Sequence, residues 1–160
     1  VTTGSTEIRV ARAADVERLL AIQREASVAG FASVFPPGRY AYPTDDVREV
    51  WREALFDPDV DAYVYELEPE AVGTVTVDEE FLRQLYVVPA HWGSGIGSAL
   101  LARGLERMRE RGATRAKLWT LEGNERGRRF YERRGWKLTE VTRVVPYPPN
   151  PIDVQYAIDL

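Results

Sequence analysis

The hydrophobic pattern of the chain changes period several times, and each change predicts an element. Residues 7–11 alternate apolar and polar side chains, as a short strand does. Leu19, Leu20, Ile22 and Ala26 then recur at helical spacing behind Asp15, a suitable N-cap. A second helix carries Val47, Val50, Trp51 and Leu55, with Thr44 or Asp45 as its cap and Asp57-Pro58 as its stop. Residues 31–46 lie between these helices and hold three prolines and four aromatics, which predicts a long irregular loop. Residues 62–67 and 71–77 read as strands of a hairpin turning at Glu68-Pro69-Glu70, and residues 81–88 as a strand ended by Pro89. Ile96, Leu100, Leu101, Leu105 and Met108 mark a helix to Arg111, closed by Gly112. A strand over 115–121 follows, then a short helix from Asn124 to Arg134 ended by Gly135. Residues 136–145 and 152–160 predict a closing antiparallel pair around the turn YPPNP. In the last strand Ile152, Val154, Tyr156, Ile158 and Leu160 share one face. No repeat or linker interrupts this order. It predicts one α/β (α+β) domain over residues 1–160, with a mixed, mostly antiparallel sheet flanked by helices.

Composition narrows the function classes. The chain has 160 residues, enough for a core without covalent staples, and 44% hydrophobic content excludes a disordered chain. It has no cysteine, which excludes a disulfide framework, a thiolate metal site and a cysteine nucleophile. No apolar run approaches the ~20 residues of a membrane span, and the opening VTTGSTEIRV lacks the regions of a signal peptide. The expectation is a soluble cytoplasmic protein without a membrane partner. The net charge of −4 conceals an asymmetry: residues 1–80 carry 17 acidic against 7 basic side chains, residues 81–160 carry 8 against 14. The C-terminal half therefore suits a polyanionic ligand, the N-terminal half a cation. Nucleic acid is not expected, since the chain is acidic overall and no basic stripe is interleaved with stacking aromatics.

The most informative stretch is LYVVPAHWGSGIGS, residues 85–98. A strand ends, Gly93, Gly95 and Gly97 alternate, and an amphipathic helix begins. Glycines permit positive φ and close backbone approach, so several N–H groups can converge on one anion, aided by the positive end of the helix dipole. A diphosphate suits such a loop. A dinucleotide-binding turn is the competitor, with Glu122 after a later strand in its favour. Against it, the sixth position from Gly93 is Ser98, and four residues separate the strand from the first glycine. A GxSxG nucleophile elbow is excluded by the spacing around Ser94.

At these residues the chain resembles the GNAT superfamily of N-acetyltransferases. WGSGIG matches the family's Arg/Gln-x-x-Gly-x-Gly/Ala at Gly95 and Gly97, with Trp92 in place of Arg or Gln. Residues 124–136 match Asn-x-x-Ala-x-x-Phe-Tyr followed by Gly-Phe at Asn124, Phe130, Tyr131 and Gly135, with Gly127 and Trp136 as departures. The resemblance implies a GNAT fold that takes acetyl-CoA as cosubstrate and no metal. It implies that Leu85, Tyr86 and Val87 offer backbone groups to the pantetheine arm, splayed from the strand at 115–121. It also implies that Gly93, Ser94, Gly95, Ile96, Gly97 and Ser98 cradle the pyrophosphate. Asn124 would touch the pantetheine arm, besides being a good N-cap, and Tyr131 would stand near the sulfur as general acid. Phe130 and Tyr131 are about 100° apart on a helix, and Phe130 reads as the better core residue.

Acetyl transfer needs a neutral amine, and an alkyl ammonium with a pKa of ~10.4 is mostly protonated at neutral pH. Candidate bases are Asp78, Glu79 and Glu80, with Glu79 and Glu80 preferred. The position used by enzymes acting on protein N-termini is Trp119 here. His91, the sole histidine, reads as a surface or ligand-edge residue. The expected acceptor is a small cationic amine, enclosed by Phe35, Tyr40 and Tyr42 and steered by Asp45, Asp46, Glu79 and Glu80. A protein lysine acceptor, a non-catalytic acyl-CoA-binding module and a homodimer stay open.

Overall fold

In a computed structural model, residues 6–160 are described. The strands β1 (Thr6–Val10), β2 (Asp61–Leu67), β3 (Glu70–Val77) and β4 (Leu82–Val87) form an antiparallel sheet in that order. The strands β5 (Arg115–Leu121), β6 (Lys137–Val144) and β7 (Ile152–Asp159) form a second antiparallel sheet in the order β5-β7-β6. The helices are α1 (Val16–Gly30), α2 (Thr44–Phe56), α3 (Ile96–Glu110) and α4 (Glu125–Glu132).

One hinge joins the sheets. Phe81 and Lys117 form a parallel bridge, and the Lys117 N–H donates to the Glu80 carbonyl at 2.9 Å. Beyond it the two strands part. The β3–β4 register explains how: Thr76 faces Gln84 but Val77 faces Leu82, so Arg83 is an extra residue in β4. Such a bulge bends its strand and adds twist, turning β4 away from β5. The Val88 N–H donates to Val72 at 2.9 Å, which sets the phase of the ladder. Tyr86 thus bonds to Thr74, while Leu85 and Val87 turn their backbone groups to the edge that β5 would otherwise occupy.

Strand alternation assigns the helices to faces. An added Cβ on Gly73 would meet Leu100 and Ile96 of α3, so Gly73, Val75 and Val87 face α3. Thr74 and Tyr86 point to the opposite face, where Ser27 of α1 lies beside the Tyr86 phenol. In the second sheet Tyr156 meets Arg128 and Glu132 of α4, placing Leu118, Tyr156 and Leu138 toward α4. Trp119, Leu121, Asp153, Gln155 and Arg143 therefore point to the other face. The core joins both layers through Leu19, Ile22, Trp51, Val64, Val75, Leu100, Leu118 and Tyr156.

The structure refines two helix starts and adds one feature of the last strand. Asp15 is the N-cap residue of α1, as expected, but its carboxylate caps no α1 N–H; it takes the Arg12 N–H at 2.7 Å and pairs with Arg9. The cap position of α2 belongs to Pro43, without a side-chain bond. Strand β7 is buried on both faces from Asp153 to Ala157, so its polar positions do not meet open solvent.

Candidate active site

The parting of β4 and β5 opens a cavity of about 1280 Å³ that reaches from the glycine loop to Asp78 and Asp153. On one wall the short turn Pro89–His91 leads into Gly93 and Gly95, both left-handed with φ of 77° and 89°. An added Cβ on either would meet nothing within 4 Å, so each faces open space rather than packed chain. Gly95 is the N-cap residue of α3, and no side chain caps that helix. The N–H groups of Ile96, Gly97 and Ser98 consequently lack internal acceptors and add to the dipole end. Gly93, Gly95, Gly97 and Ser98 line the cavity. The Ile96 side chain is buried in the core, and the Ser94 hydroxyl turns back to the His91 carbonyl.

Leu85, Tyr86 and Val87 also line the cavity. Of their open-edge groups the Val87 carbonyl is already occupied, accepting the Trp92 indole N–H at 2.7 Å. This accounts for Trp92 where the family has Arg or Gln: the indole ties the loop to the strand end. Arg126 lies 3.7 Å above the Trp92 ring, and Arg134 lies 3.7 Å above the Phe130 ring and donates to Ser98. Arg126 and Arg134, with Arg129 and Arg133, bring four guanidinium groups of the α4 segment to the cavity beside the glycine loop. Partial desolvation alone holds the Arg126 pKa below its ordinary value, and this surface guanidinium has no acid partner among the described residues. The charge surplus of the C-terminal half pointed to these arginines as a group, but nothing in the periodicity singled out any one.

Asn124 caps α4 by accepting the Gly127 N–H at 3.1 Å, and its amide donates to Thr120 at 3.1 Å. A Cβ at Gly127 would stand 2.3 Å from the Asn124 Nδ2, so Gly127, the departure from the family pattern, makes room for this rotamer. The expectation for the next pair is reversed. Tyr131 is the buried residue at 9% exposure, while Phe130 is half-buried and rests against Gly97 of α3. Both line the cavity, because α4 sits at its rim and turns Tyr131 inward between Phe130 and Trp136. Burial pushes the Tyr131 phenol far above its ordinary range, with a smaller rise from neighbouring Tyr86. No hydrogen bond joins its hydroxyl to another described residue.

The acidic turn is arranged differently from expectation. Glu79 and Glu80 are exposed, and Glu80 pairs with Lys117. Asp78 is the carboxylate of this turn that lines the cavity. Its Oδ1 accepts the N–H groups of Glu80 and Phe81 at 2.8 and 2.6 Å, and Arg83 stands 3.9 Å from its Oδ2. Tyr40 and Tyr42 do not line the cavity: Arg39 and Arg24 face their rings, and the Tyr42 hydroxyl is buried. Of the expected acceptor-steering residues, Asp45 is engaged with Arg48, and Asp46 lies near Tyr147. Asp153, unnoticed in the sequence, lines the cavity at 8% exposure.

These features define a class: an α+β protein with a split sheet, whose opening joins a glycine loop at a helix start to a buried phenol. The pattern of the acetyltransferase (GNAT) family matches residues 28–136. An N-acetyltransferase of Archaeoglobus fulgidus whose role is uncharacterised is 34% identical over 104 residues, covering 58% of this chain and 71% of that protein. The PaiA N-acetyltransferase of Thermoplasma acidophilum, solved with coenzyme A, superposes with a TM-score of 0.74 at 19% identity, over 94% of this chain and 98% of that one. The ribosomal-protein-S18-alanine N-acetyltransferase of Escherichia coli gives 0.73 at 15% identity, over 97% and 94%. The chain belongs to the GNAT family of acetyltransferases.

Proposed function

We propose that this chain moves the acetyl group of acetyl-CoA directly to the amine of a small molecule. The observation that carries the reading is one continuous cavity: left-handed glycines facing open space, then the free edge of β4, then the inward-turned Tyr131. These residues fit acetyl-CoA. Gly93, Gly95, Gly97 and the first N–H groups of α3 suit its pyrophosphate, with Arg126 and Arg134 beside them. The open backbone groups of Leu85 and the Val87 N–H suit the amides of its pantetheine arm by strand addition. The Asn124 side chain stands at the start of α4 next to that path.

Bound there, acetyl-CoA supplies a thioester whose thiol is a fair leaving group at a pKa of ~8.5. Tyr131, kept protonated by burial, donates its proton or a hydrogen bond to the departing sulfur. Transfer is taken as direct; the chain has no cysteine, which removes a thiol carrier for the acetyl group. The acceptor's ammonium must lose a proton first. Glu79 and Glu80 are exposed, and Asp153 is held in an ion pair. Asp78 Oδ2, with only a distant Arg83 partner, is the oxygen left to receive it.

Thiol release from acetyl-CoA with a panel of amines tests the reading. Tyr131→Phe should lower kcat roughly ten- to a thousand-fold, the range of one acid catalyst, while acetyl-CoA affinity by calorimetry barely changes. Full activity in that variant would return Tyr131 to packing.

A further inference from the structure

A second polar assembly lies in the cavity on the face opposite α3 and α4, and the transfer step does not use it. Arg143 of β6, Asp153 of β7 and Trp119 of β5 share this face, with Arg143 and Asp153 as direct cross-strand partners. All three line the cavity. The Arg143 Nε donates to Asp153 Oδ2 at 2.9 Å, and its guanidinium lies 4.4 Å above the Trp119 ring. Asp153 is buried, but the Arg143 side chain is 54% exposed. Neither terminal nitrogen of Arg143 donates to a described residue. A guanidinium oriented by a carboxylate on one edge and a ring on its face presents the fork of a bidentate anion receptor.

Its place says which anion. The glycine loop and the α4 arginines stand on the α3/α4 face, whereas Arg143 shares its face with α1, α2 and the Tyr86 phenol, which feels the Asp153 charge. The phosphates of a cosubstrate seated on the loop are on the other side of the sheet from this fork.

We propose that Arg143 binds a carboxylate of the acceptor, so that the acceptor is a molecule bearing both an amine and a carboxylate, with Asp153 and Trp119 positioning the guanidinium. This rests on the acetyl-transfer reading and replaces the purely cationic acceptor expected from charge distribution. Free amino acids and acidic peptides both supply the chemistry, and the proposed acceptor is the small molecule.

The test measures thiol release with matched acceptors: amino acids, their amides, and peptides with and without an acidic residue. Wild type, Arg143→Gln and Arg143→Lys are compared. Arg143 is exposed enough for either variant to fold. In parallel, calorimetry follows binding of Nα-acetyl amino acids and their amides to the protein saturated with CoA. Wild type should prefer the carboxylate form roughly ten- to a hundred-fold in kcat/KM, as a charge-assisted pair allows. Arg143→Gln should erase that preference through KM, and Arg143→Lys should restore part of it. Amides turned over as well as acids, or a preference that survives Arg143→Gln, would overturn the Arg143 proposal and leave acetyl transfer standing. Carboxylate binding that depends on Arg143 without any thiol release would do the reverse. Turnover confined to acidic peptides, still dependent on Arg143, would keep the receptor and overturn the small-molecule reading.

Discussion

At the scale of single residues, the carboxylates of the turn between β3 and β4 differ by orientation rather than by chemistry. Asp78 folds its Oδ1 back onto two backbone N–H groups, which fixes the side chain against the cavity wall. Glu79 and Glu80, one methylene longer, extend away from it into solvent and toward Lys117. Asp78→Asn preserves the oxygen that accepts the two N–H groups and removes the charge proposed to take the acceptor's proton. Its kcat/KM should fall roughly a hundred- to ten-thousand-fold, with the acidic limb of the pH–rate profile lost. Glu79→Gln and Glu80→Gln should stay within a few-fold of wild type. If Asp78→Asn keeps its pH–rate profile while Glu80→Gln loses it, the base is Glu80.

At the scale of elements, the strand–loop–helix unit from β4 to α3 combines the proposed pyrophosphate site with its own support. Trp92 pins the loop to Val87, and Gly97 admits the Phe130 ring, whose nearest carbon is 3.5 Å from an added Cβ. Gly95 needs its left-handed φ of 89° to aim the first N–H groups of α3 into the cavity. A valine there meets two penalties, backbone strain of about 1–3 kcal/mol and, on the proposed function, a branched side chain in the path of the phosphate. Gly38, also left-handed at 81° and also facing open space, lies away from the cavity and isolates the first penalty. Gly95→Val and Gly38→Val should therefore lose similar stability in chemical denaturation. Only Gly95→Val should weaken CoA binding by calorimetry, by at least ten-fold. Equal CoA affinity in both variants would remove the loop from the binding site.

At the scale of the whole molecule, the split sheet draws a group of phenols inward. Burial pushes Tyr86 up to about 12, and burial with Tyr86 as neighbour pushes Tyr131 and Tyr42 higher still. A phenol that keeps its proton when folded but loses it near ~10 when unfolded leaves stability unchanged below that pH. Above it the unfolded chain releases protons that the folded chain retains, so stability declines as pH rises through about 10 toward the folded values. Denaturation midpoints should thus be level from pH 7 to 9 and drop steeply by pH 11, with tyrosinate absorbance appearing as the fold is lost. Tyr42→Phe should lessen the drop, since Tyr42 lies off the cavity wall. Tyrosinate formed by Tyr42, Tyr86 and Tyr131 near pH 10 in an intact fold would show that these rings are open to water.

The sequence by itself determined what short-range physics controls. Helix and strand periods, the stop at Gly112, the N-cap at Asn124 and the glycine run at 93–97 are properties of neighbours along the chain, and each element appears near its expected bounds. The glycine loop was legible because positive φ beside a helix start leaves a mark in composition. Tertiary structure decided what depends on the second surface a side chain meets. Alternation in β7 marks Asp153 and Gln155 as the polar face, but only the packed sheet turns that face into a cavity wall. Helical geometry separates Phe130 from Tyr131 by a fixed angle, yet which of them is buried follows from where α4 docks beside α3. The order Asp78-Glu79-Glu80 offers three carboxylates, and the turn at the sheet hinge presents one of them inward. The meeting of Trp119, Arg143 and Asp153 joins three strands across some thirty residues of chain, a distance over which no local pattern carries information.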